Sequence, residues 1–264
     1  MIRSDMEGVT GVVDMNQVIP GASEYSIGQA MYMHDLLAVT DGLLQNADDE
    51  VWIYDIHFYG RNTILDRLDP RIKVICGKPH YTPQNNGFLD KSFAGVILLG
   101  LHANAQQPDA LLAHNYEHDI RLMSVNGLIV GEIGLEAFIA GEAGVPLVMV
   151  TGDSEGAREA RELIPNVSTV VVKESLGYSS AVCYPPTLTG KWLKEGAARC
   201  ADHVRDLSPF VMSAPVMLKL SFRAGQLLER LQKEMHNYQT GTDTFEIRGD
   251  SVTAAWEIYL RSKA

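Results

Sequence analysis

The sequence predicts an α/β fold: a largely parallel sheet with flanking helices over residues 1–205, then a smaller C-terminal α+β unit over residues 206–264. Three observations carry this expectation. Short, continuous apolar runs recur through the first 205 positions, as in strands buried on both faces. Segments of helical period alternate with them, the order that builds a parallel sheet. After "DLSPF" the pattern restarts as strand, helix, strand, helix, which suggests a unit of its own.

The first strand is short and ends in "SDMEG", where Asp5 and Glu7 flank one methionine. A helix is predicted over 24–45, followed by strands at 50–55 ("EVWIYD"), 71–76 ("RIKVIC") and 94–100 ("AGVILLG"). "RLMSVNGLIVGE" reads as a hairpin turning at Asn126-Gly127, a pair that tolerates the positive φ of a tight turn. A helix over 133–143 leads to a strand at 146–152 and a helix at 154–163, with Asp153 as its N-cap. A strand at 169–173 and a helix at 187–205 close the larger unit. The smaller one offers strands at 215–222 and 243–249 and helices at 224–235 and 251–261.

Composition excludes some functions. The formal net charge of −11 leaves no basic footprint for nucleic acid. Cys76, Cys183 and Cys200 stand far apart with no C-x-x-C pair, which argues against a thiolate zinc site and suits a reducing compartment. No apolar run approaches the roughly 20 residues of a membrane span. Asp5 and Glu7 interrupt any apolar leader. A cytoplasmic protein with no membrane partner is expected.

Ligands of parallel α/β sheets bind at the carboxyl ends of strands, and there the acids and histidines gather. Asp5 and Glu7 end the first strand. His57, in "YDIH", follows the second, and His102, in "LLGLHANA", follows the "GVILLG" run. Glu132 closes the hairpin and opens a helix, and His114, in "LLAHN", lies in the loop between. Singly, each has an ordinary explanation. Acids end strands, Glu132 suits a helix first turn, and Asp55 could cap a turn or orient His57. Together they make a site for two divalent metals, since imidazole and carboxylate suit zinc, manganese or cobalt and one aspartate can bridge two ions. Such a pair lowers the pKa of a bridging water to give a hydroxide nucleophile. His118, four residues after His114, is read as loop or strand rather than as a ligand.

The ordered set "SDMEGVTGV", "DIHFYGRN", "LLGLHANA", "LLAHN", "VNGLIVGEIGLEAFIAGEAGVPLVMVTGD" and "ARELIPNVSTVVVKESLGYSSAVCYPP" resembles the D-aminopeptidase family, the M55 metallopeptidases. The resemblance covers nearly the whole chain and weakens past residue 206. It implies an aminopeptidase with two Zn²⁺ per subunit, Mn²⁺ or Co²⁺ being alternatives, that removes an N-terminal residue such as D-alanine from short peptides. The family's ligands fall on Asp5, Glu7, His57, His102 and Glu132. Asp5 would bridge, Glu7 and His102 would complete one site, and His57 and Glu132 the other. His114 matches the family's catalytic histidine, as nucleophile, acid–base group or oxyanion donor. A large closed homo-oligomer, such as a decamer, is also implied. The chain departs from the family pattern in having Arg3, not Ser, two before Asp5, and in the helix "GQAMYMHDLL", which lacks the usual acidic and amide residues. Two other readings compete. One is a two-metal phosphohydrolase, for which Arg61 and Arg3 are the candidate phosphate cations. The other is a peptide-binding homologue without catalysis.

Overall fold

A computed structural model describes residues 1–263, with residue 205 described by its backbone alone. The strands, in chain order, are β1 (Ile2–Ser4), β2 (Val51–Asp55), β3 (Ile72–Ile75), β4 (Val96–Leu101), β5 (Ile120–Val125), β6 (Leu128–Ile129), β7 (Leu147–Asp153), β8 (Ser168–Gly177), β9 (Ser180–Cys183), β10 (Val216–Phe222) and β11 (Thr244–Gly249). The helices are α1 (Tyr25–Leu43), α2 (Glu132–Glu142), α3 (Ser154–Leu163), α4 (Pro186–His203), α5 (Gln226–Glu234) and α6 (Val252–Lys263). No described helix is long and apolar enough to cross a membrane.

The larger sheet has the order β3-β2-β1-β4-β7-β8-β9, parallel except for the β8–β9 hairpin. β4 shows how its faces are used. Ile97 and Leu99 pack with α1 and α4, while Val96 and Leu98 pack with α2 and α3. Both faces are covered, so the run is apolar throughout. Asp153 caps α3 through the amides of Glu155 and Gly156.

The smaller sheet is antiparallel, in the order β11-β10-β5-β6. Its β5–β6 hairpin turns at Asn126 (φ 48°) and Gly127 (φ 83°), and β5 pairs with β10. This sheet therefore takes strands from both sides of residue 206, and the two sheets share α2. That helix is buried on every side from Glu132 to Gly141, with Ala137 and Ala140 toward the parallel sheet and Leu135, Phe138 and Ile139 toward the antiparallel one. Such all-round burial suits its apolar sequence.

β1 has only three residues but lies at the centre, between β2 and β4. Arg3 fastens it to α2. The Arg3 guanidinium is wholly buried, donates to the Glu136 carboxylate and to Gly87 O (2.8 Å), and stacks over Tyr81. A buried pair missing one partner leaves an uncompensated charge, so Arg3 acts here as a tie within the core.

Candidate functional site

Strand order reverses between β1 and β4: the chain runs outward from β1 through β2 to β3, then returns to place β4 on the other side of β1. The crevice beyond the carboxyl ends of these two strands is where open α/β sheets bind ligands. Asp5 follows β1 directly, held by its amide on Leu99 O at 2.8 Å. Gly8 lets the chain pass against β4, because a Cβ there would lie 2.1 Å from Leu101 O. His57 comes two residues after β2, His102 follows β4, and Glu132 opens α2. His114 lies in the loop between β4 and β5. All six predicted residues meet in this crevice, each at most 8% exposed.

Asp5 faces two histidines. Its Oδ1 is 2.8 Å from His57 Nδ1, and its Oδ2 is 3.6 Å from His102 Nε2. Glu7 Oε2 is 3.2 Å from His57 Nδ1, and Glu132 Oε1 is 3.3 Å from His102 Nε2 and 3.6 Å from His114 Nε2. The far side of each imidazole meets a carbonyl, which accepts and so fixes the proton there. His57 Nε2 donates to Val18 O (2.8 Å), His102 Nδ1 to Ala103 O (3.0 Å) and His114 Nδ1 to Leu112 O (2.9 Å). The nitrogen facing the crevice is thereby left as a donor atom for a metal or a proton. His114 is sandwiched between His102 (centroids 4.2 Å, 10° between planes) and His118 (4.3 Å, 12°).

The electrostatics are those of a crowded acidic pocket. Burial and the neighbouring Glu7 push the Asp5 carboxyl up to about 7. Burial also works against a charged Glu132, yet His102, 3.3 Å away, and the charge of His114 hold it down at about 2. Burial disfavours an imidazolium at His102, but Glu132, with Glu7 and Asp5, lifts it to about 10. His114 goes the other way: burial and the neighbouring charge of His102 lower it to about 4, which leaves a neutral imidazole at pH 7.

These residues could hold a metal ion. His102 Nε2 and Glu7 Oε2 are buried without a hydrogen-bond partner. Within the crevice, Asp5, Glu7 and His102 bring ligand atoms within 4.8 Å of one another, as do His102, His114 and Glu132. Buried, unpartnered imidazole and carboxylate donors of this kind match zinc. Asp55 does not touch the imidazole of His57. It accepts from the amides of Asn62 (2.6 Å) and Thr63 (3.1 Å), and Asn62 in turn donates to His57 O (3.0 Å), so it shapes the turn that carries His57.

The sequence reading missed three contributors. Lys173, wholly buried at the end of "TVVVK", donates to the carbonyls of Glu7 (2.6 Å), Val9 (2.7 Å) and Val12 (2.5 Å), and so braces the loop behind Asp5 and Glu7. A lone lysine ending an apolar strand on the ligand side of the sheet was the available signal. Tyr116 donates its amide to Glu132 Oε1 at 2.8 Å. Val18 supplies the carbonyl behind His57, from a loop with no motif to announce it. A cavity of about 500 Å³ is lined by Asp5, Glu7, His57, His114 and Glu132 together with Arg61, Lys78, His80 and Lys263.

Comparison with known proteins adds three findings. The model of a family described as D-aminopeptidase matches residues 1–260. A D-aminopeptidase of Bacillus subtilis (strain 168) is 30% identical over 257 residues, covering 97% of this chain and 93% of that protein. A solved structure, described as the Zn-dependent D-aminopeptidase DppA from Bacillus subtilis, a self-compartmentalizing protease, matches with a TM-score of 0.90 at 29% identity, over 99% of this chain and 96% of that chain.

Proposed function

This chain belongs to the D-aminopeptidase family of metallo-aminopeptidases, and from that premise we propose that it is a binuclear zinc enzyme that removes an N-terminal D-amino acid, such as D-alanine, from short peptides. The observation that carries the proposal is the set of buried donor atoms around Asp5, two of them without hydrogen-bond partners. Asp5, Glu7 and His102, whose ligand atoms lie within 4.8 Å of one another, would hold one ion, with His57 and Glu132 serving the other and Asp5 shared between them. When bound, the zinc pair supplies Lewis acidity at the scissile carbonyl and lowers the pKa of water.

The chain's own groups would do the rest. His114, neutral and with its Nδ1–H fixed on Leu112 O, offers Nε2 to accept a proton and pass it to the leaving amine. The acid ligands would face the substrate's cationic N-terminus. A phosphohydrolase would need cations around the metals. Of the two arginine candidates, Arg3 is committed to Glu136 beneath the site, and Arg61 lines the cavity with Lys78 and Lys263, so the assay on p-nitrophenyl phosphate separates the readings. The solved relative is described as self-compartmentalizing. Equivalent closed assembly here, in the cytoplasm, would admit short peptides and exclude folded proteins.

The test is an assay of zinc-loaded protein on D-alanine p-nitroanilide, its L-enantiomer and p-nitrophenyl phosphate. Release of p-nitroaniline from the D-substrate, abolished by a chelator, is expected. Phosphate release with no amide cleavage would refute the reading. The ligand grouping has its own check. His57→Ala and His102→Ala should each retain about one zinc per chain, because an imidazole nitrogen serves one ion. Two ions in both variants by elemental analysis would count against it.

A further inference from the structure

The cavity is polarised. Its buried lining carries Asp5, Glu7 and Glu132, while its less buried lining carries Arg61, Lys78, Lys263 and His80. Lys263 is ion-paired with Glu117. Lys78 has no acidic partner among the described residues. Its ammonium lies 4.4 Å over the ring of Tyr116, a contact that orients a cation without neutralising it. The same tyrosine donates its amide to Glu132 Oε1 at 2.8 Å. One residue thus joins the free cation to the ligand carboxylate, and covalent geometry limits their separation to about 12 Å. Three extended residues reach about 10–11 Å and four about 13–14 Å, at about 3.3–3.6 Å each, so a di- or tripeptide fits within that limit.

The backbone here is built for the purpose. Lys78 adopts φ 46° and Gly77 φ 86°, so a side chain that most turns would give to glycine or asparagine is held in the left-handed region. Gly60, in the loop after His57, must be glycine, because a Cβ would lie 2.6 Å from Lys78 N; Gly77 N donates to Gly60 O at 2.7 Å. The two loops clasp each other, which fixes Lys78 relative to the ligand loop.

A short peptide is a zwitterion with an ammonium at one end and a carboxylate at the other, and the cavity presents the complementary order of charge. We propose that Lys78 binds the free C-terminal carboxylate of the substrate and so makes the enzyme selective for di- and tripeptides. This rests on the aminopeptidase reading for its substrate class. A longer peptide would bring an uncharged amide to the same place, and the cation would lose its partner.

The experiment compares D-alanyl-D-alanine with its C-terminal amide on the zinc-loaded protein, by kcat/KM and by calorimetric binding. Wild type should favour the free acid by about tenfold, mainly through KM, the scale of one charge-assisted hydrogen bond. In Lys78→Met the ratio should fall toward one, while Lys78→Arg should keep most of it. Equal treatment of acid and amide by wild type, or an undiminished ratio in a folded Lys78→Met, would overturn the proposal. The wild-type comparison stands even if the variant fails to fold. Should neither peptide be cleaved, the aminopeptidase reading fails. Acid-selective binding by wild type, lost in Lys78→Met, would then still support the anchor, and equal binding of the two peptides would overturn it.

Discussion

Asp5→Ala should strip both zinc ions from the chain and lower aminopeptidase turnover by at least about 10³-fold, the several kcal/mol that metal assistance contributes to such a reaction. Asp5 contacts both His57 and His102, one through each carboxylate oxygen. In the proposed centre its loss would remove a shared ligand and one of the three negative charges of Asp5, Glu7 and Glu132 that would balance two dications. The folded chain should survive. Burial and Glu7 drive the Asp5 carboxyl up to about 7, so the fold draws little stability from its charge. Circular dichroism should match wild type while elemental analysis finds little zinc. Two tightly held ions in Asp5→Ala would remove Asp5 from the bridging position.

His114→Ala should keep both ions and the fold yet lose activity by roughly 10²-fold or more, the range of a missing acid–base group. The fall should lie in kcat rather than KM, because the proton moves in the transition state. Nε2 of His114 is only 3.6 Å from Glu132 Oε1, and His114 also belongs to one of the two clusters of ligand atoms. Zinc content therefore separates two roles. Two ions with poor turnover mark a proton carrier, and one ion marks a ligand. Full zinc with near wild-type turnover would send the proton elsewhere, most simply through Glu7 or Glu132.

The parallel sheet was legible in the sequence because its strands are apolar on both faces, and the site because its acids and histidines sit at strand ends. "AGVILLG" followed by "LHANA" carries both signals within a dozen residues. What escaped depends on contacts between distant segments. β9, mostly exposed along its length, has no alternation to announce it. The pairing of β10 with β5 joins residues some ninety positions apart, and neither strand names its partner. Arg3 read as a free cation beside the metals because nothing local points to Glu136. Lys173 drew no reading, because its acceptors are the carbonyls of a loop more than 160 residues earlier. Sequence periodicity reports which face is buried, but not which segment covers it.

That brace sets an order of events during synthesis. The ligands are spread from Asp5 to Glu132, and β1, which delivers the first two, has no strand beside it until β2 and then β4 have been made. The loop behind them gains its ammonium only with residue 173. At about 5–20 residues per second, the ribosome needs on the order of ten seconds or more to pass from the first ligand to the last support. A nascent chain carries its acids and histidines through that interval as separate groups with no common pocket. On the proposed reading, a braced pocket for zinc would exist only once residue 173 of the 264 has been made.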